Sequence, residues 1–127
     1  MNIEIIDLGL NNINSVVNAF SKIRNNLNIS IRRDYTDESV PKHALIVLPG
    51  LGNFGSACEI LNVTGLRRYL EIQHANQIKI LGICLGMQLF GTTSEESPNV
   101  KGLDFIKAKT IRLLPTDRET RIPNIGW

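Results

Sequence analysis

Apolar positions along the chain follow two rhythms. Asn2 to Asp7 is a short, nearly continuous apolar run, and over Asn12 to Leu27 the apolar residues fall at Ile13, Val16, Val17, Phe20, Ile23 and Leu27. The first reads as a buried strand and the second as a helix with one apolar stripe. From Asn28 to Arg33, Ile29 and Ile31 alternate with polar neighbours, as in a half-buried strand. A polar connection from Thr36 to Lys42, containing Pro41, leads to Ala44 to Leu48, a continuous apolar run of the kind found in strands covered on both faces. Phe54 to Gln77 returns to helical spacing with a break near Asn62 to Gly65, and its second piece turns Leu66, Tyr69 and Leu70 inward. A further apolar strand begins at Ile78 and ends at Cys84, Leu85 to Phe90 continues as helix, and Gly91 to Val100 reads as a polar loop. Leu103 to Leu114, with Leu103, Phe105, Ala108, Ile111 and Leu113 among Lys and Arg, predicts one or two exposed strands.

Strand and helix alternate, and glycine-rich turns follow the strands. This predicts an α/β fold, an open, doubly wound, mostly parallel sheet that binds ligands beyond the carboxyl ends of its strands. A chain of 127 residues allows one domain, taken as 1–127, and 43% hydrophobic with 20% charged residues is ordinary for a globular protein. The longest apolar runs are far too short to span a bilayer, and the N-terminus has neither a basic region nor a cleavable apolar segment, so the expectation is a cytoplasmic chain with no membrane partner. The net charge of +2 is dispersed; Arg32-Arg33 and Arg67-Arg68 read as solvated faces, and no nucleic-acid partner is implied. Two cysteines, Cys58 and Cys84, are too few for a disulfide framework.

Candidate chemistry centres on Gly82-Ile83-Cys84-Leu85-Gly86, where the apolar strand turns directly into a helix. A strand-to-helix elbow exposes its central residue on a strained turn, and flanking glycines keep Cβ atoms out of the bend. Cys84 would then sit at a helix N-terminus, where unpaired N–H groups stabilise negative charge on sulfur, and the N–H of Leu85 would be half of an oxyanion hole. A cysteine at the end of an apolar strand can equally be buried core; that is the reading given to Cys58, which has no elbow. A second glycine-rich turn, Pro49-Gly50-Leu51-Gly52-Asn53-Phe54-Gly55, follows the third strand. It lacks both the spacing of a dinucleotide-binding loop and a following Gly-Lys-Ser/Thr, so phosphate binding is a weak reading. His43 before a strand and His74 near a helix end read as exposed.

The run Gly82 to Gln88 followed by Ser94-Glu95-Glu96 resembles the class I glutamine amidotransferases, which hydrolyse glutamine and pass on ammonia. It is most similar to those that act as the glutaminase subunit of imidazole glycerol phosphate synthase. Their motifs are matched in order at Ile5-Ile6-Asp7, Leu48 to Gly55, Cys84 to Gln88, Glu95-Glu96 and Pro123 to Trp127. The resemblance implies Cys84 as nucleophile, and Leu85 with Leu51 or Gly52 as oxyanion-hole donors. It further implies Gly50, Gln88 and Glu96 as substrate-binding residues, Glu96 pairing with the α-ammonium of L-glutamine. It implies no metal and no cofactor, and a (β/α)8 cyclase subunit as heterodimer partner in histidine biosynthesis. A relative serving a surface-polysaccharide sugar pathway and a non-catalytic remnant remain alternatives. The chain departs from the family at Asn11, usually Gly, at Gly91-Thr92-Thr93, usually bulkier, and at Asn124, commonly His. The family takes its general acid from a His-x-Glu motif that neither His43-Ala44-Leu45 nor His74-Ala75-Asn76 matches. The expectation is therefore the N-terminal part of an amidotransferase, with the catalytic His/Glu segment absent and the sheet incomplete at its C-terminal side.

Overall fold

The computed structural model describes residues 1–10, 12–23, 26–35, 45–115 and 122. Four strands, β1 (Asn2–Ile6), β2 (Asn28–Arg32), β3 (Leu45–Gly50) and β4 (Ile80–Cys84), form one sheet in the order β2-β1-β3-β4. Every pairing in it is parallel. The chain steps from β1 to one side and then returns across it to β3, so the order in which strands are added reverses between β1 and β3. Crevices at the carboxyl ends of strands near such a reversal are where open α/β sheets bind ligands.

The side-chain period of two sends alternate residues to opposite faces. On one face Ile3 and Ile5 of β1 and Val47 of β3 meet Ile13, Val16, Val17 and Phe20 of α1 (Ile13–Ile23). On the other, Ile6, Ile46 and Leu48 pack with Phe54, Ala57, Cys58 and Leu61 of α2 (Phe54–Val63) and with Leu66, Tyr69 and Leu70 of α3 (Leu66–Ala75). Helices therefore cover both faces, as the apolar run of β3 requires. Gly65, at φ +73°, makes the break between α2 and α3.

Among the described residues, one charged side chain enters this core. Glu4, on the α3 face of β1, is 3% exposed. Arg32 of β2 donates its Nε–H to Glu4 Oε1 at 3.0 Å, and the Tyr69 hydroxyl donates to Oε2. The Arg32 guanidinium lies 4.3 Å from the centre of the Tyr69 ring. Burial, and then the hydrogen bond to the Glu4 carboxylate, push the Tyr69 phenol well above its ordinary range. A buried charge is tolerated only when paired and hydrogen-bonded. Here the pairing fastens edge strand β2 to β1 and to α3.

Several elements differ from the sequence reading. In α1 the residues Ile13, Val16, Val17 and Phe20 are only half-buried and Ile23 is 74% exposed, because 100° per residue leaves Ile23 at the margin of the stripe. The strand expected from Ile78 begins at Ile80, since the Ile78 N–H is taken by the Gln73 carbonyl at the end of α3. The expected polar loop 91–100 contains β5 (Thr93–Ser94), and 103–114 yields one short strand, β6 (Lys109–Thr110), parallel to β5. Leu103 is instead drawn into the core, its N–H donating to the Leu89 carbonyl. Helix α4 spans Leu85–Gln88 only and turns at Leu89 and Phe90. The connection 36–42, Asn11, Ala44, His43 and Pro123 to Trp127 lie outside the described residues. No helix of the described structure is long and apolar enough to cross a membrane.

Candidate active site

Cys84 ends β4 and begins α4, at φ +54° and ψ −116°. Such a conformation costs a residue with a Cβ on the order of 1–3 kcal/mol and persists only where the surroundings impose it. Two close approaches impose it here. A Cβ at Gly86 would lie 1.7 Å from the Leu48 carbonyl oxygen, and one at Gly82 would lie 2.6 Å from the backbone of Met87. The first turn of α4 is thus pressed against β3, and β4 against α4, by glycines at the positions an elbow needs. Cys84 is exposed, whereas Cys58 is buried in α2, where burial pushes its thiol up.

Parallel pairing aligns Gly50 at the end of β3 with Cys84 at the end of β4. The loop after Gly50 is only three residues long, Leu51 to Asn53, because α2 begins at Phe54. Leu51 is 62% exposed and Gly52 holds φ +104°. The structure thus brings Gly50, Leu51, Gly52, Cys84 and Leu85 to one edge of the sheet. Both strand ends open onto the side where parallel sheets bind ligands.

Three acceptors close the N-terminus of α2, which otherwise leaves backbone N–H groups unsatisfied. Asn53 Oδ1 accepts from the Ser56 N–H at 3.1 Å, Ser97 Oγ from the Gly55 N–H at 3.1 Å, and Glu96 Oε2 from the Phe54 N–H at 2.7 Å. Glu96 and Ser97 belong to the turn after β5, so that turn is clamped to the start of α2 immediately beyond Leu51 to Asn53. Ser97 drew no attention in the sequence, since its role depends on a helix end more than 40 residues away in the chain.

Gln88, half-buried at the end of α4, and Glu96 line one cleft of about 490 Å3, completed by Ser94, Glu95 and the segment Thr110 to Arg112. Cys84, Leu51 and Gly52 do not line this cleft; it lies one turn of α4 beyond Cys84. Glu95 holds its far wall together. Its Oε2 accepts the Arg112 backbone N–H at 3.1 Å and its Oε1 lies 3.4 Å from Lys109 Nζ. The hydrogen bond from Arg112, then Lys109, hold the Glu95 carboxyl below the usual carboxylate range.

His74 is exposed at the end of α3, its ring stacked on Phe105 at 4.1 Å. It precedes the start of β4, whereas Cys84 ends that strand, and five strand residues extend for about 13 Å. His74 is therefore not beside Cys84. Among the described residues no three His, Cys, Asp or Glu side chains are grouped to hold a metal ion.

A sheet edge that presents a cysteine on a strained elbow beside a glycine loop belongs to a recognisable class of proteins. The profile of the class-I glutamine amidotransferases matches residues 4–127, and the chain belongs to that family. Among curated relatives, the imidazole glycerol phosphate synthase subunit HisH of Pelagibacter ubique is 34% identical over all of this chain and 62% of its own length. The subunit of the same name from Methanothermobacter thermautotrophicus is 39% identical over 98% of this chain and 59% of its own length. That from Halalkalibacterium halodurans is 36% identical over 97% and 57%. The chain thus spans about three-fifths of the length of these relatives.

Proposed function

We propose that this chain carries the nucleophile half of a glutaminase, one that hydrolyses L-glutamine to glutamate and ammonia and works with a cyclase subunit making imidazole glycerol phosphate. The observation that supports it most directly is the Cys84 elbow, a cysteine at φ +54° with Gly86 pressed on Leu48 and Gly50 alongside. The names of the relatives point to the same acceptor pathway.

The chemistry is acyl transfer. Cys84 Sγ attacks the side-chain carbonyl carbon of glutamine, and the carbonyl oxygen takes up the negative charge. The N–H groups of Leu85 and of Leu51 or Gly52 stabilise that charge. Collapse of the tetrahedral species expels ammonia as its nitrogen is protonated, leaving a γ-glutamyl thioester. Water then adds to the thioester, releasing glutamate and restoring the thiol. Gln88 and Glu96 hold the amino-acid end, Glu96 as the anion facing the substrate ammonium. The proton for the departing nitrogen needs a general acid, worth about 10²–10⁴-fold. His74 is too distant to serve, and neither His43-Ala44-Leu45 nor His74-Ala75-Asn76 matches the family's His-x-Glu motif.

The test uses two forms of the protein. In a chain extended to the length of the relatives and mixed with the cyclase, Cys84→Ala should abolish glutamine-driven synthesis while leaving ammonia-driven synthesis intact. The 127-residue chain should release no glutamate above background even with the cyclase and its ligand present. Loss of ammonia-driven synthesis in Cys84→Ala would assign Cys84 to folding or docking. Robust Cys84-dependent turnover by the short chain would overturn the reading that these 127 residues lack the general acid.

A further inference from the structure

The turn after β5 meets the loop to which the glutaminase mechanism assigns an oxyanion donor. That loop, Leu51 to Asn53, is held firmly at its first end. Gly50 pairs with Cys84, and a Cβ at Gly50 would lie 3.0 Å from both the Gly86 nitrogen and the Leu85 Cβ. Its middle is open, for Leu51 is 62% exposed and a Cβ at Gly52 would meet nothing within 4 Å. Gly52 stands at φ +104°, in a region that only glycine enters freely, so the peptides on either side of it turn at little cost. The orientation of the Leu51 and Gly52 N–H groups therefore depends on what fixes the second end.

At that end Asn53 caps α2, its Oδ1 accepting from the Ser56 N–H at 3.1 Å. Ser97 sits against the cap. Its Oγ accepts the Gly55 N–H at 3.1 Å, and its hydroxyl donates toward Asn53 Oδ1 at 3.5 Å. A hydroxyl both donates and accepts, so one side chain serves the helix backbone and the cap together. The fit is close. A Cβ at Gly55 would lie 2.7 Å from Ser97 Oγ and 3.2 Å from Asn53 Oδ1, so glycine at that position leaves the room the hydroxyl occupies. Ser97 is itself fixed, since its N–H donates to the Ser94 carbonyl at 3.2 Å and its carbonyl accepts the Val100 N–H at 3.0 Å.

Resting on the glutaminase reading above, we propose that Ser97 is a positioning residue for the oxyanion loop. It holds Asn53 so that the Leu51 or Gly52 N–H stays turned toward the carbonyl that Cys84 attacks. Ser97 touches no reacting atom. Its effect passes through Asn53 to the Gly52 peptide and is felt in the transition state, where the oxygen is charged, more than in the bound amide.

The test uses the chain extended to the length of its relatives, assembled with the cyclase and its ligand. Ser97→Ala should lower kcat for glutamine hydrolysis about 10-fold, a part of the roughly 10²–10³-fold that removal of a whole oxyanion donor costs, and leave KM unchanged. Ser97→Thr, which keeps the hydroxyl, should recover most of the rate. Ammonia-driven synthesis should be the same in every variant, which shows that the variants fold and dock. Because Ser97 acts through Asn53, Ser97→Ala combined with Asn53→Ala should fall no further than the worse single variant. Unchanged kcat in Ser97→Ala, additive losses in the pair, or loss of ammonia-driven synthesis each overturns the assignment. A raised KM at unchanged kcat overturns it too, since the turn would then act on substrate binding through Glu96. A parent that hydrolyses no glutamine overturns the glutaminase reading itself, and this assignment with it.

Discussion

Strands β3 and β4 lie side by side, are similarly apolar in sequence, and meet different environments. In β3 the residues Ile46, Val47 and Leu48 are wholly buried between α1 and the α2–α3 layer. In β4, Leu81 and Ile83 continue the α1 face of Val47 and Pro49 across the sheet, yet they are 43% and 39% exposed. Strand formation follows from local composition, but burial follows from what covers the face, and α1 does not extend over β4. The Cys84 elbow therefore stands on the less covered strand and takes its rigidity from the neighbour. Gly86 meets Leu48, and Gly50 pairs with Cys84.

The largest effect that can break this comparison is at Gly86. Its Cβ would sit 1.7 Å from a backbone oxygen of β3, which cannot rotate aside. We expect Gly86→Ala to cost at least about 3 kcal/mol, or to prevent recovery of folded protein. Gly82→Ala meets backbone of the single-turn helix α4, which can shift, and should cost less, about 1–3 kcal/mol. Urea unfolding of both variants orders them; the reverse order would mean that β3 does not brace the elbow.

The next comparison truncates one residue on each strand. Leu48→Ala should lose about 2–5 kcal/mol, whereas Leu81→Ala should lose less than about 1 kcal/mol because much of its surface is already in water. Equal losses would show that something covers β4 in solution.

The smallest effect concerns the wall of the cleft. The Glu95 carboxyl titrates below its ordinary value, so its contribution is full above the unfolded-state pKa, about 4.3. That contribution is lost as pH falls through the lower folded value. Amide hydrogen exchange at Arg112, whose N–H Glu95 accepts, should speed up on acidification beyond the intrinsic trend. Glu95→Gln should flatten that dependence. Unchanged protection down to acid pH would mean the clamp is not electrostatic.

Much of the fold was legible because periodicity encodes it. The inward face of α3 at Leu66, Tyr69 and Leu70 and the doubly covered run of β3 could be read from the spacing of apolar residues. The elbow was legible too, since Gly82 and Gly86 flank Cys84 at fixed local distances. The β5–β6 pairing was not, because two-residue strands carry no periodicity and are held by partners 16 residues apart in the chain.

What the sequence determined by itself is the local grammar: where strands turn to helices, which faces are apolar, and that Cys84 occupies a bend only glycines can flank. Tertiary structure alone decided which distant groups meet around the sheet edge that carries it. Glu96 and Ser97 reach the start of α2, Glu95 fixes the segment that carries Arg112, and Leu48 supports Gly86. The reason is physical. A bend is set by sterics within a few residues, whereas a backbone N–H left open at a helix end donates to whichever oxygen the fold brings within about 3 Å.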